Sequence, residues 1–331
     1  MSDSSSRRTI NRKQFITSGA LGAVGLGLGF AGTQPAGESG GGKTSGRSKV
    51  VLVRDQAALS EQGRKEGAVL RSLLEKSLCA YTGESDPLAA IGRFIKPGDT
   101  VGVKMNVMMT ATHPELVAEL VRLLVRAGVS ERKIIVWDRN DAGLGVEGAF
   151  TRKLNYGYGD GSVSRIITDE ADVLINFPAL KSHWLSGLAG ALKNWAGAVT
   201  GINVQDNDSP FPFHGDSCAN LGMLNAIEPI RKKSRLVIID ALWPLFEGGP
   251  QVNPAYLWQY GGLFLGEDPV AVDTMLNILL EKKREQFKGR PWPLNPPVKH
   301  LAVADTRYHL GVSDPKKIDL MALGEESGRL I

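Results

Sequence analysis

The sequence predicts an α/β protein, a mostly parallel sheet with helices on both faces in three layers. Three observations lead there. Short runs rich in valine and isoleucine, such as KVVLVR at 49–54, KIIVWD at 133–138 and RLVIID at 235–240, have strand composition. Stretches with helical apolar spacing lie between them, and strands that alternate with helices favour a parallel sheet. Polar residues also gather where these strands end, the side on which open α/β sheets bind ligands.

Residues 1–32 read as an export signal. Arg7, Arg8, Arg12 and Lys13 precede a soft Gly/Ala-rich apolar run at 19–31 that is short for a membrane span. The stretch Asn11-Arg12-Lys13-Gln14-Phe15-Ile16 resembles a twin-arginine signal, with Lys13 in place of the second arginine. The expected address is exported, periplasmic or otherwise extracytoplasmic, with a membrane tether if the signal stays uncleaved. The expected first partner is the export machinery. Residues 33–48 read as a flexible linker, and 49–331 as a single α/β domain.

Two phosphate-loop spellings fall in this N-terminal part, at 27–32 (GxGxxG) and 37–44 (Walker A). Both fail on context, since such a loop needs a strand before it and a helix after it to aim N–H groups at phosphate.

Within the domain, 49–54 is the first strand and 61–78 a helix. The alternating 100–107 is a strand. Thr112-His113-Pro114-Glu115 has the form of a capping box opening a helix that carries Leu116, Leu120 and Leu124. Strands follow at 133–138 and 172–177. Residues 187–200 place Leu188, Leu192, Trp195 and Val199 at helical spacing. After the strand at 235–240, another at 262–266 leads into a helix from Asp268-Pro269 to about 280. A small strand is expected near 300–304. The regions 140–170 and 200–218 read as long loops, often binding elements in compact domains.

The chain carries 39 Lys+Arg and 35 Asp+Glu, but residues 1–48 hold six of the basic and two of the acidic residues, so 33 of each remain. A neutral body argues against a nucleic-acid partner, which would want a basic face. Two cysteines, Cys79 and Cys218, form no CxxC pair, so no iron–sulfur cluster is expected.

Lys104 and Asn106 lie two apart late in one strand and share a face. Asp138 and Asp240 end two others, and Lys181 and His183 follow the strand ending near Phe177. Buried charge is costly unless paired or used, so these polar ends suggest one shared site. Lys181, His183, His214, Asp138 and Asp240 are the candidate catalytic groups. Lys104, Asn106, Lys193 and Asn194 are the candidate substrate binders. Asp216 and Asp273 are candidates to hold a divalent metal. Asp273 stands among Val270, Val272, Met275 and Leu276 on a helix apolar nearly all round, so it needs a partner. Each has a plainer reading: Lys104 snorkels to solvent, Asn106 bonds a turn, Asp138 pairs with a nearby arginine, Lys193 is a solvated charge, and His214 and Asp216 are hydrated loop residues.

Several motifs together resemble the domain-of-unknown-function 362 family. They are Lys96-Pro97-Gly98-Asp99 through Lys104-Met105-Asn106, Asn176 through His183, Gly190-Ala191-Leu192-Lys193-Asn194 with Gly197, Asp240 to Glu247-Gly248-Gly249-Pro250, and Asp268 through Asp273. Met105 stands where the family has proline. The resemblance implies the fold and a common polar site; it supplies no reaction. Many relatives carry a ferredoxin-like cluster domain for which this chain has no cysteines. Two functions are expected to compete: an enzyme acting on a small anionic substrate, with metal assistance as an option, and a binding protein that clamps an anionic ligand or a metal cofactor.

Overall fold

The computed structural model describes residues 47–139, 163–199 and 215–331. Its strands are β1 (Ser48–Arg54), β2 (Val101–Met105), β3 (Ile134–Trp137), β4 (Val173–Phe177), β5 (Ala179–His183), β6 (Gly187–Ala189), β7 (Ser234–Leu245), β8 (Gly262–Gly266) and β9 (Ile318–Gly324). They form one nine-stranded sheet in the order β3-β2-β4-β7-β8-β1-β9, with β5 on β7 and β6 on β5. The pairs β2–β3, β2–β4, β4–β7, β5–β7 and β1–β9 are parallel. The pairs β1–β8, β7–β8 and β5–β6 are antiparallel. The expected mostly parallel, three-layer α/β fold is what the chain adopts.

Strand alternation builds the layers. Val51, Val53, Val101, Val103, Ile134 and Val136 face the helices Ala68–Thr82, Pro87–Gly92 and Pro114–Arg126. The alternate residues Val50 and Leu52 face the helix Pro269–Lys288, and Ile135 and Trp137 face the elements around Trp195 and Leu221. A period of two therefore splits each strand between two cores.

Several local expectations change. The helix expected at 61–78 is two helices, Glu61–Glu66 and Ala68–Thr82. Gly67 separates them at φ +68°, and a Cβ there would stand 2.1 Å from Glu119 Oε1. The expected helix at 187–200 begins as strand β6, continues as the single turn Ala191–Asn194 and ends as the 3-10 turn Trp195–Ala198. Pairing with β5 takes its first residues. The expected strand near 300–304 is the helix His300–Thr306, whose Leu301 and Ala304 pack on Leu192 and Val270. Thr112 does not cap the helix Pro114–Arg126. His113 holds that position without a side-chain bond to the helix backbone, and the Thr112 hydroxyl donates to Phe177 O. Strands β5 and β9 complete the sheet, and β8 runs antiparallel because no crossover helix separates it from β7.

Candidate functional site

The carboxyl ends of β2, β3 and β4, together with the middle of β5 and of β7, place the site; Asp240, expected to end its strand, lies inside it because β7 runs on to Leu245. Lys104 stands in β2 opposite Trp137 and Asn176 of the neighbouring strands. Its ammonium is 1% exposed and spends three bonds: on the Asp138 carboxylate, on Met105 O at 2.8 Å and on Asn194 Oδ1 at 3.3 Å. The other Asp138 oxygen accepts the Val107 N–H at 2.6 Å. Asn194 Nδ2 donates back to Lys104 O and to Asn176 Oδ1, and Asn176 Nδ2 to Ala191 O. Strand β2, strand β4 and the turn at 191–194 are thereby laced together. Burial pulls the Lys104 ammonium below its ordinary pKa, and Asp138 opposes that. Gly197 lets the backbone in close: a Cβ there would lie 3.0 Å from Asp138 Oδ1 and 3.2 Å from Lys104 Nζ.

Lys181 is held differently. Among the described residues its ammonium donates to two neutral oxygens, Asn106 Oδ1 and Thr110 O, the latter at 2.8 Å. An ammonium has three donors, and burial of this one costs free energy that no contacting carboxylate offsets. Burial, relieved by Asp138 and Asp240 and reinforced by Lys193 and Lys104, pushes Lys181 down to about 7. Three lysines thus share one charge field with two carboxylates. Half-buried Lys193 is pushed down to about 8 by burial, against the pull of Cys218.

Asp240, on β7 opposite Ala179, joins through a residue that sequence reasoning missed as a site group. Its Oδ2 accepts both the backbone N–H of His113 and ring Nδ1 at 2.7 Å, while Oδ1 accepts the Leu242 N–H at 3.0 Å. The carboxylate accepts, so Nδ1 carries a proton. Burial lowers the imidazole, but the charge and hydrogen bond of Asp240 more than offset it, and His113 ends above 6.5. Burial works to raise Asp240 and His113 outweighs it, so the carboxyl titrates below 3.8. The signal for His113 was its place after β2; the capping-box pattern absorbed it.

Two other candidates work away from this cluster. Asp273 is fully buried, but its oxygens accept the N–H groups of Ala191 and Leu192 at 2.7 and 2.9 Å, which starts the turn bearing Lys193 and Asn194. Burial raises this carboxyl to about 7 against those bonds. It positions site residues from beneath. Asp216 lies on the surface, paired with Lys299. Its expected role beside Asp273 as a metal ligand has no geometric support, and no group of three or more His, Cys, Asp and Glu among the described residues is arranged to hold a metal ion. His183 is buried near Lys181, but its Nδ1 accepts the Leu185 N–H at 3.1 Å: the β5–β6 turn uses it. His214 lies outside the described residues, as does the leader. Glu247, in the motif that runs from Asp240 to Pro250, is committed to Arg284. Both cysteines are free thiols.

The Gly248-Gly249-Pro250 turn ties the site's loops together. Trp184 N–H donates to Gly249 O at 2.9 Å, and Thr110 N–H donates to Pro250 O at 3.3 Å. A Cβ at Gly249 would stand 2.0 Å from Ser182 O, so only glycine fits.

With that geometry in hand, comparison with known proteins gives one positive result. Residues 151–276 match the family model described as Domain of unknown function (DUF362). The match takes in Asn176, Lys181, His183, Lys193, Asn194, Asp240 and Asp273; Lys104, Asn106, His113 and Asp138 precede it. No curated protein matches the chain. Among the described residues no helix is long and apolar enough to cross a membrane.

Proposed function

We propose that this chain is an exported enzyme acting on a small anionic substrate at the strand-end cluster, with Lys181 and the His113–Asp240 dyad as its working groups. The observation that carries the reading is the Lys181 ammonium, buried beside Lys104 and Lys193 and bonded to neutral oxygens alone among the described residues. A carboxylate or phosphate supplies the counter-charge it lacks. Three lysines against two carboxylates favour an anion, and a water-poor setting strengthens that attraction.

A bound anion keeps Lys181 as the ammonium, so the proton chemistry falls to His113. The His113 imidazole, oriented at Nδ1 by Asp240, exchanges a proton with substrate at Nε2. Lys104–Asp138 anchors the scaffold on which Lys181 and Asn106 stand. Carboxylates that would ligate a divalent ion are already engaged by Lys104, His113 and backbone N–H groups, so the reading uses no metal.

Calorimetric titration with inorganic phosphate tests it. The full chain should bind the probe, and Lys181→Met should weaken binding tenfold or more. Equal affinity in both proteins sinks the reading. A binding protein without turnover rests on the same lysines. His113→Gln separates the two: in a screen of small carboxylates and phosphate esters followed by NMR, it should keep probe affinity and lose turnover. Export rests on the basic start and apolar run of residues 1–32. Residues 1–48 fused to a folded reporter should carry it out of the cytoplasm, and Arg12→Ala with Lys13→Ala should retain it.

A further inference from the structure

Seven large apolar side chains are exposed among the described residues, and four of them, Met108 (44%), Met109 (46%), Trp184 (59%) and Val252 (50%), come from three segments that meet at Lys181. Met108 and Met109 lie between Asn106 and Thr110, the two residues that hold the Lys181 ammonium. Trp184 follows His183 directly at the end of β5, three residues after Lys181, and opens the turn into β6. Val252 follows the Gly248-Gly249-Pro250 turn. These segments are pinned to one another: the Thr110 N–H and hydroxyl both donate to Pro250 O, and the Trp184 N–H donates to Gly249 O. The four side chains therefore belong to one rim.

Chain geometry supports the grouping. Met109 is a non-glycine residue at φ +59°, a conformation few such residues adopt and one that clusters at ligand sites. The Trp184 ring lies parallel to His183, with 5° between the planes and 6.4 Å between centroids. An exposed indole fixed in this way is a flat platform for a planar group. The rim is too small to seat a protein, since specific protein interfaces use about 20–30 residues a side. It surrounds a cationic floor, so the occupant it complements is a small molecule with an anionic head and an apolar body.

We infer that the Met108–Met109–Trp184–Val252 rim gives the site its specificity, selecting anions that carry an aromatic or similarly flat apolar group over bare anions. Lys181 and its neighbours take the head; Trp184 and the two methionines, whose thioethers adapt to irregular shapes, take the body. This inference rests on the anion site proposed above and names the class of its ligand.

The test compares phenyl phosphate with inorganic phosphate on the full chain by calorimetry. Phenyl phosphate should bind at least tenfold more tightly. In Trp184→Ala the ratio of the two affinities should fall toward one, and Trp184→Phe should restore most of it. Lys181→Met should weaken both probes together. If inorganic phosphate binds in a Lys181-dependent way but phenyl phosphate gains nothing, or its advantage survives Trp184→Ala, the rim inference is overturned and the anion site stands. If neither probe binds, both fall. Melting curves of each variant check that the fold is intact.

Discussion

Two regions of this molecule bury cations, and they treat them in opposite ways. On the side of the sheet that carries the helix Pro269–Lys288, Arg54 of β1 and Arg284 of that helix are sealed in by carbonyls. Arg54 donates to Tyr260 O, Glu325 O and Ser327 O, and its guanidinium lies 4.2 Å from the Tyr260 ring centre. Arg284 donates to Trp292 O, Phe246 O and Pro293 O, pairs with Glu247, and stacks 3.9 Å from the centre of Trp292. A rigid fork with five donors is spent on the protein itself. At the ends of β2 and β5 the buried cations are lysines, and Lys181 finds two neutral oxygens. The arginines close the fold over themselves. The lysine site keeps charge and donor capacity in hand for a ligand, and that difference separates a structural buried cation from a working one.

The sharpest way to break this contrast is stability. Arg284→Met leaves Glu247 and three carbonyls without their partner and should cost about 3–5 kcal/mol, read by urea unfolding, while phosphate affinity stays within about twofold. Lys181→Met should do the reverse: replacing a poorly compensated buried charge with an apolar chain of similar volume should change stability by about 1 kcal/mol or less. Equal losses in the two variants would erase the distinction.

The pH dependence sharpens it further. Lys181 falls from 10.5 to about 7 on folding. Below that the amine is charged in both states. Between about 7 and 10.5 the unfolded chain holds a proton that the folded chain has shed, so this residue makes stability rise with pH across that window. Lys181→Met removes the rise, so its stability relative to wild type should be most favourable below pH 7 and should decline toward 10.5. A difference that does not vary with pH contradicts a depressed Lys181.

A smaller effect concerns the dyad. His113 should titrate above 6.5 by NMR, and Asp240→Asn should bring it down, because only the weaker pull of Glu115 then opposes burial. An unmoved His113 would mean that Asp240 does not set its charge. The smallest effect marks the baseline for an exposed pair. Lys299→Ala, which frees Asp216 on the surface, should cost about 0.5 kcal/mol or less and leave phosphate binding untouched.

Part of the site was legible along the chain. Lys104, Asn106, Asp138, Lys181 and Asp240 stand out as polar residues at the ends of apolar runs, and the structure links Lys104 to Asp138 and Asn106 to Lys181. Asp273 was legible as a buried carboxylate in need of a partner, but the partner is a pair of backbone N–H groups, which no spacing of side chains encodes. His183 looked like the proton carrier by residue type alone, and its Nδ1 is taken by a turn.

What the sequence determined by itself is what local periodicity carries: the strands β1, β2, β3, β4 and β8, the start of β7, the helices that begin at Pro114 and Pro269, and the α/β class. These follow because a period of two or of 3.6 is written in neighbouring residues. Tertiary structure alone decided the rest. Strand β5 reads as a loop until β7 lies beside it. Residues 187–200 are helical in pattern, yet β5 claims the first of them as strand. His113 and Asp240 stand 127 residues apart and meet because β2, β4 and β7 run parallel, which carries the residues that follow β2 alongside the later half of β7. A contact at that distance depends on which strands become neighbours, and that is settled by packing the whole sheet, not by any stretch of chain within it.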